Sequence, residues 1–280
     1  MTRDFWKAFA RNRGAVVGLG ILALVVLCAL LADIIYPVSP WEMTTMPFQP
    51  PGAEDALLGS DTLGRDIAAG IVHGARVSLV IGLTSTAVAL LIGVTLGAVA
   101  GFHGGRVDDA IMRFTELFQT IPNFVLAVVL VAIFTPTIAN IVIAIAIVSW
   151  PPLARLARGE FMALRSREFV QAAVTTGQGT GTIIFRHILP NSLSPIIVSA
   201  SLMVATAILL ESSLSFLGLG DPNVMSWGYM IGAARTVIRQ AWWMSFFPGI
   251  AILLTVLALN LVGEGLNDAL NPKLARKGKA

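Results

Sequence analysis

The chain has 280 residues, of which only 12% are charged (19 Lys and Arg against 16 Asp and Glu) and 56% are hydrophobic. A soluble domain carries about 25% charged residues, and a disordered chain is poor in apolar residues and rich in charge, so both classes are excluded. The single cysteine excludes a disulfide framework and a cysteine-based metal cluster. The composition therefore predicts an integral membrane protein.

Long stretches without charge predict six membrane-spanning helices, because a helix needs about 20 apolar residues to cross a bilayer. The third stretch is too long for one span, and Thr135-Pro136-Thr137 near its middle predicts a tight turn between two helices. The second of these helices, from Ile138, is short unless it continues through Pro151 and Pro152. In chain order, the charge-free stretches are residues 14–32, 77–105, 117–154, 187–210 and 240–263.

The distribution of basic residues predicts the orientation of these spans. If the N-terminus lies in the cytoplasm, 15 of the 19 Lys and Arg fall on the cytoplasmic side, as the positive-inside rule favours. Both termini are therefore expected to be cytoplasmic. The expected organisation is a cytoplasmic amphipathic start at 1–13, a first span at 14–36, an outer loop at 37–76, a five-span core at 77–270 with a cytoplasmic loop at 155–190, and a basic cytoplasmic tail at 271–280.

The cytoplasmic loop at 155–190 contains a short helical pattern. Gly177 follows this pattern at the place where a glycine commonly ends a helix. These features predict a short helix beneath the membrane with a small, mildly apolar face. The residues alone leave two interpretations open: the helix rests on lipid headgroups, or another protein surface docks on it. The residues that share the face, spaced i, i+3, i+4 and i+7, are Phe169, Ala172, Ala173 and Thr176.

The same loop resembles the EAA motif, E-A-A-x3-G-x9-I-x-L-P, of the permease subunits of bacterial ABC importers. Gln171 stands in place of the glutamate, and His187 stands in place of the isoleucine. The positions that match the motif are Ala172, Ala173, Gly177, Leu189 and Pro190. Other segments resemble the C permease subunit of the dipeptide, oligopeptide and nickel subfamily, and the resemblance covers nearly the whole chain. These segments are 58–66, 74–79, 104–109, 186–191, 215–220 and 260–266.

The resemblance implies an all-α membrane protein with the six-span fold of type I ABC importer permeases, located in the bacterial inner membrane. Such a subunit forms half of a pathway for di- or oligopeptides, with nickel or another small solute as the alternative. The implied partners are a homologous second permease, two cytoplasmic ATPases and an extracytoplasmic solute-binding protein. ATP and Mg are expected on the ATPases, so neither a cofactor nor enzymatic activity is expected on this chain.

The resemblance also implies how the cytoplasmic loop works. In such importers the EAA helix docks into a cleft of an ATPase, and closure of the ATPases moves this helix and rocks the adjoining spans. We therefore expect docking, rather than contact with headgroups, for the short helix. The implied coupling residues are Glu168, Phe169, Gln171, Ala172, Ala173, Thr176, Gly177, Leu189 and Pro190.

Two further features concern helix shape and packing. Gly93, Gly97 and Gly101 form two overlapping G-x-x-x-G repeats, which allow helices to approach closely in lipid. The repeats indicate either general helix packing or a specific seam with the partner permease. Pro195 removes a hydrogen bond inside the fifth span, so we expect a kink there, beside the pathway, that could act as a hinge.

Glu211 lies near the end of the fifth span, where a lone acid is costly unless it is paired or solvated. One interpretation is a structural pairing with Arg235 or Arg239. The other is contact with the solute at the outer mouth of the pathway, together with Ser212 and Ser213.

No enzymatic or metal site is readable in the sequence. It lacks a G-x4-G-K-[ST] loop for ATP phosphates, and His73, His103 and His187 are too far apart for a metal pair. The charge pattern gives no nucleic-acid signal. Two other classes remain as alternatives: a self-sufficient secondary transporter, disfavoured because no acid or base relay lies in mid-span, and a non-transporting membrane scaffold.

Overall fold

The computed structural model describes residues 2–270, which form α-helices, one π-helix and connecting loops, with isolated β-bridges but no β-strand in that range. The all-α prediction is therefore confirmed for the described residues, and the predicted tail at 271–280 lies outside them. The elements are α1 (Thr2–Arg11), α2 (Arg13–Leu30), α3 (Ala32–Ile35), α4 (Ile67–His103), α5 (Gly105–Thr120), α6 (Asn123–Ile133), α7 (Ile138–Arg165), α8 (Glu168–Thr175), α9 (Thr180–Thr182), π1 (Ile183–Ile188), α10 (Leu189–Phe216), α11 (Trp227–Ala234) and α12 (Trp243–Leu270).

Five helices are long and apolar enough to cross a membrane: α2, α4, α7, the continuous α9–π1–α10 segment and α12. A sixth span is formed if α5 and α6, which meet at an 82° bend, are taken together. Pro122 lies at this bend and cannot donate a backbone hydrogen bond, which accounts for the break. The turn predicted at 135–137 separates α6 from α7, and Thr137 caps α7 by accepting a hydrogen bond from Asn140 N.

The outer loop is shorter than predicted, because α4 begins at Ile67 rather than at residue 77. The absence of charged residues was too strict a criterion for the start of this helix. Arg76 lies inside the helix, and its guanidinium donates to the Ala29 carbonyl at 3.1 Å and to Asp33 at 3.0 Å. These partners satisfy the charged group, so the helix begins ten residues earlier than the charge pattern suggests.

The cytoplasmic loop also differs from the prediction at its start. α7 continues through its two adjacent prolines and ends at Arg165, so the loop expected from residue 155 begins after this helix. Arg158, which the charge pattern placed in the loop, makes a bidentate ion pair with Asp108 of α5, with N–O distances of 2.5 and 2.6 Å. The charge is therefore neutralised within the helical bundle.

α4 and α7 pack along a glycine seam in their C-terminal halves. A Cβ atom built at Gly93 would lie 2.7 Å from the Trp150 carbonyl oxygen, and one at Gly101 would lie 2.5 Å from that of Arg158. These distances leave no room for a side chain. The seam lies within the chain, so this face of α4 is not available to a second permease. The seam residues are Gly93, Gly97 and Gly101.

The N-terminal helix lies against the C-terminal end of α12. Phe9 is buried, and a Cβ built at Gly265 would lie 2.8 Å from its ring. Asn12, which caps α2, donates a hydrogen bond to Asp268 at 3.0 Å. The predicted amphipathic start is thus held by protein contacts as well as by its apolar face.

The predicted outer loop, which spans residues 36–66 in the structure, folds back onto the N-terminal ends of α11 and α12. The rings of Trp41 and Tyr229 lie 5.4 Å apart between centroids. Trp243 donates from Nε1 to the Ser60 carbonyl at 3.0 Å. These contacts cover the start of α12 and hold the loop close to the helical core.

Candidate coupling loop and outer groove

The loop between α7 and α10 contains the predicted short helix, α8, which begins at Glu168 and ends in a Schellman motif. Gly177 adopts φ +75°, a conformation that residues with a side chain rarely take. Its N–H donates to the Val174 carbonyl, and Gln178 N donates to the Ala173 carbonyl, which satisfies the last carbonyls of the helix. Glu168 lies in the first turn, where a negative charge favours the helix dipole.

The predicted docking face of α8 is wrong at one residue. Ala173 is buried, because it lies one turn from Val170 and the two pack together against Phe161, Ile183 and Ile188. Spacing alone placed Ala173 with the exposed residues, but the helix needs an apolar side of its own to rest on the ends of α7 and π1. The exposed residues of the helix and its C-cap are Glu168, Phe169, Gln171, Ala172, Val174, Thr175 and Thr176.

The exposed face of α8 combines a partly exposed aromatic ring with small and polar side chains. Phe169 is 43% exposed. Gln171 donates from Nε2 to the Arg165 carbonyl at 2.9 Å, and Thr176 donates to the Ala172 carbonyl at 3.0 Å, so both polar groups bond to backbone. Since Ala172 is the smallest side chain of this face, a partner surface can approach the helix closely there.

The segment from α8 to α10 has open surroundings and an unusual helical geometry. Cβ atoms built at Gly179 and Gly181 would meet nothing within 4 Å. π1 follows, and Leu189 N donates to the Ile184 carbonyl, five residues back. Leu189 and Pro190 lie at the start of α10, where a missing N–H is tolerated, and neither belongs to the exposed face of α8.

At the opposite end of α10, Glu211 is buried within the protein at 2% exposure. Its Oε1 accepts hydrogen bonds from the hydroxyls of Ser215 at 2.9 Å and Ser226 at 2.8 Å, and Ser212 lies 3.4 Å from Oε2. The predicted pairing with arginine is wrong: none of the ion pairs among residues 2–270 includes Glu211. Arg235 instead donates to the Phe216 carbonyl at 3.3 Å.

The partner of Glu211 is α11, which packs on α10 through a second glycine pair that the sequence interpretation missed. A Cβ built at Gly228 would lie 2.8 Å from the Ser212 Cα, and one built at Gly232 would lie 2.4 Å from the Ser215 carbonyl oxygen. Trp227 holds α11 to α4, since its backbone N–H binds the Ser78 hydroxyl and its Nε1 binds the Ile71 carbonyl. The sequence does carry a signal for this contact: Gly228 and Gly232 are spaced four residues apart and follow Ser226, which caps α11.

An open groove of about 360 Å³ lies beside this contact, between α6, α10, α11 and α12. Ser213 is exposed there and donates to its own helix, at the Leu209 carbonyl. No charged side chain lines the groove, so its chemistry is that of apolar groups and hydroxyls. Pro195 lies 18 residues earlier in α10, roughly 27 Å away along the helix, so it does not belong to this site. Side chains that line the groove include Phe124, Leu209, Ser212, Ser213, Phe216 and Ile231.

Comparison with known proteins places this architecture in a family. Residues 93–276 match the model of the binding-protein-dependent transport system inner membrane component, and residues 1–51 match that of the N-terminal TM domain of oligopeptide transport permease C. The chain belongs to the first of these families. It is thus a multi-pass permease component of the bacterial inner membrane, and the resemblance found in the loop at 155–190 is confirmed at the level of the family.

The relatives cover almost the whole chain. The di/tripeptide transport system permease of Pseudomonas aeruginosa is 44% identical over 97% of this chain and 92% of its own length. The glutathione transport system permease of Pectobacterium atrosepticum is 42% identical, over 97% and 91%. The oligopeptide transport system permease of Bacillus subtilis is 36% identical, over 98% and 90%.

A solved structure supports the fold independently. The crystal structure of an amino acid ABC transporter with histidines includes a chain that matches with a TM-score of 0.54, over 71% of this chain and 94% of that chain. The sequence identity is 12%, so the match concerns the fold alone.

Proposed function

We propose that the chain is the C-type permease subunit of an ATP-driven importer of di- or oligopeptides. In this proposal six spans, with both termini in the cytoplasm, form half of the pathway. A homologous second permease forms the other half, two ATPases supply the energy and bind ATP and Mg, and an extracytoplasmic protein delivers the solute. The names of the relatives, which refer to dipeptide, oligopeptide and glutathione transport, favour a peptide over nickel.

The observation that carries the proposal is the exposed face of α8. This helix rests with Val170 and Ala173 on the inner ends of the spans and presents Phe169 and Ala172 outward. A small face of this kind can seat in a cleft of an ATPase. Because α8 is joined to α7 at one end and through π1 to α10 at the other, movement of the docked helix would move both spans.

A variant at the exposed face tests the docking. Ala172→Arg should reduce uptake of a labelled dipeptide at least tenfold in a deletion strain that carries the partner subunits, while the amount of permease in the membrane stays normal. Ala163→Arg, an exposed alanine near the end of α7, is the matched control and should leave uptake within about twofold. Ala173→Arg differs from both, since it buries a charge and should reduce the amount of permease itself.

The outcome also separates the alternatives. Normal uptake in Ala172→Arg would contradict docking at this face. Uptake of nickel rather than peptide by the parent strain would identify the alternative solute. Ion-coupled transport by the purified chain alone, without ATPases, would identify a secondary transporter, and unchanged uptake in the deletion strain would identify a scaffold.

We propose further that the groove beside Ser213 is this chain's part of the outer pathway. The uncovered stripe of α10 carries the hydroxyls of Thr206 and Ser213 between apolar residues. By contrast, Val17, Leu24 and Leu27, exposed on α2, are purely apolar, as suits contact with lipid. Because no charged side chain lines the groove, peptides with different side chains could pass along it.

Cysteine labelling tests the groove and the orientation together. In a parent with Cys28→Ser, Ser213→Cys should react with a membrane-impermeant thiol reagent added outside, whereas Leu24→Cys, exposed on α2, should not. Met46→Cys in the outer loop should react from outside, and Ala172→Cys only after permeabilisation. An unreactive Ser213→Cys would contradict the pathway, and the reverse sidedness of the other two would contradict the orientation.

A further inference from the structure

The carboxyl group of Glu211 has the features of a structural link rather than of a binding site. It is buried and lies between two helices, and its Oε1 accepts one hydrogen bond from Ser215 on α10 and one from Ser226 at the start of α11. Ser226 at the same time caps α11 by accepting a hydrogen bond from Tyr229 N at 3.0 Å. One carboxyl oxygen therefore connects the end of a membrane span to the first turn of the short helix beside it.

The contact around this carboxyl group is close and specific. Gly228 approaches so near that a Cβ there would lie 2.8 Å from Oε2, and Gly232 faces the backbone of Ser215. Polar side chains that bond between helices in the membrane hold them in one register. An acid at membrane depth is retained for function more often than for stability. The position of α11 relative to α10 is thus defined by glycine packing and by Glu211 together, whereas Trp227 holds α11 to α4.

α11 has a direct bearing on the groove, because Ile231 on this helix is one of the residues that line it. Ser212 and Ser213, neighbours of Glu211 on α10, line the same groove from the other side. A shift of α11 relative to α10 would therefore change the shape of the outer end of the groove. This effect would reach the groove without contact between Glu211 and a solute.

We propose that Glu211 is a positioning residue for transport: its Oε1 holds α11 against α10 through Ser226 and thereby shapes the outer end of the groove. The inference rests on the proposed function of the groove as part of the pathway. The role depends on the acceptor oxygen and not on charge, since no cation pairs with Glu211 among the described residues.

Glutamine is the informative replacement for this residue. Its carbonyl oxygen can accept from Ser215 and Ser226, and its amide can donate to the Ser212 hydroxyl, whose own proton goes to the Ile208 carbonyl at 2.8 Å. Glu211→Gln should keep dipeptide uptake within about twofold of the parent, whereas Glu211→Ala should reduce it at least tenfold. Both rates are normalised to the amount of permease in the membrane.

A double-mutant cycle tests whether Glu211 acts through Ser226. Ser226→Ala alone should reduce uptake. The double variant Glu211→Ala with Ser226→Ala should lose less than the product of the two single losses, because the shared link is lost only once and the second change removes in addition only the hydrogen bond from Tyr229 N that caps α11. Ser213→Ala, which removes a hydroxyl bonded only to its own helix, is the control. Its fold-change in the uptake rate should multiply with that of Glu211→Ala.

A labelling experiment reports the position of α11 directly. In the Cys28→Ser parent, Ile231→Cys should react with an impermeant thiol reagent at a rate that changes at least threefold in Glu211→Ala and stays the same in Glu211→Gln. Loss of uptake in Glu211→Gln, multiplicative effects in the cycle, or an unchanged labelling rate in Glu211→Ala would each overturn the inference. If the unaltered chain with its partners imports no peptide, the proposed function fails instead.

Discussion

The glycine seam and the coupling loop use the same residue type in opposite ways. Along the seam, Gly93, Gly97 and Gly101 face the backbone of α7 with no room for a methyl group, whereas Gly179 and Gly181 in the loop have open space around them. The seam glycines serve close packing, which keeps α4 and α7 together as one unit. The loop glycines leave α8 attached to this unit by few contacts. A rigid core with a loosely attached helix is suited to receive a movement from outside the membrane.

The largest effect is expected where the seam is disturbed. Gly97→Leu should destabilise the permease by at least about 3 kcal/mol, the upper end for an overpacked core, because the clash involves the backbone of α7, which cannot repack. The expected results are a lower thermal midpoint in detergent and less permease in the membrane. Gly20→Leu, at a position with nothing within 4 Å, is the matched control. Equal stability of the two variants would contradict a tightly packed seam.

A smaller effect is expected at the ion pair that joins α5 to α7. The side chain of Asp108 is 10% exposed and that of Arg158 is 35% exposed. Asp108→Asn should therefore cost about 2–3 kcal/mol, somewhat less than the loss of one partner of a fully buried pair. Thermal unfolding followed by tryptophan fluorescence measures the change.

The outer pair between Asp33 and Arg76 offers a control for that measurement. Both side chains are largely exposed, at 71% and 45%, and exposed pairs contribute about 0–1 kcal/mol. Asp33→Asn should thus change the thermal midpoint far less than Asp108→Asn. If the two variants are equally destabilised, the inner pair is not the buried contact that its geometry indicates.

The sequence predicted the class of protein, the approximate spans and the short helix α8, because these follow from local composition and periodicity. It failed where a distant partner decides the outcome. Arg76 and Arg158 were placed outside the membrane helices because their charges are visible in the sequence, whereas their partners Asp33 and Asp108 lie 43 and 50 residues away. A single sequence gives no means of pairing such residues.

The candidate sites at α8 and at Glu211 show the same limit of prediction from a single sequence. Helical spacing grouped Ala173 with Phe169 and Ala172, but which side of a short helix is buried depends on α7 and π1. Glu211 was expected to pair with arginine because an acidic side chain is commonly neutralised by a basic one. Its partner at the start of α11 is instead the hydroxyl of Ser226, 15 residues away. The motif therefore located the loop that contains α8, whereas the orientation of its side chains required the fold.

The smallest change in the stability of the whole permease is expected within the loop, where two glycines differ in backbone conformation. Gly177 has φ +75°, whereas Gly181 lies outside the left-handed region, and both have open surroundings. Gly177→Ala should weaken the end of α8 by about 1 kcal/mol, the cost of the left-handed conformation for an alanine, which corresponds to roughly fivefold faster amide exchange in α8. The thermal midpoint of the whole permease should stay unchanged, since the core contacts are unaffected. Gly181→Ala should alter neither quantity, and a loss of global stability in Gly177→Ala would mean that the loop is part of the rigid core after all.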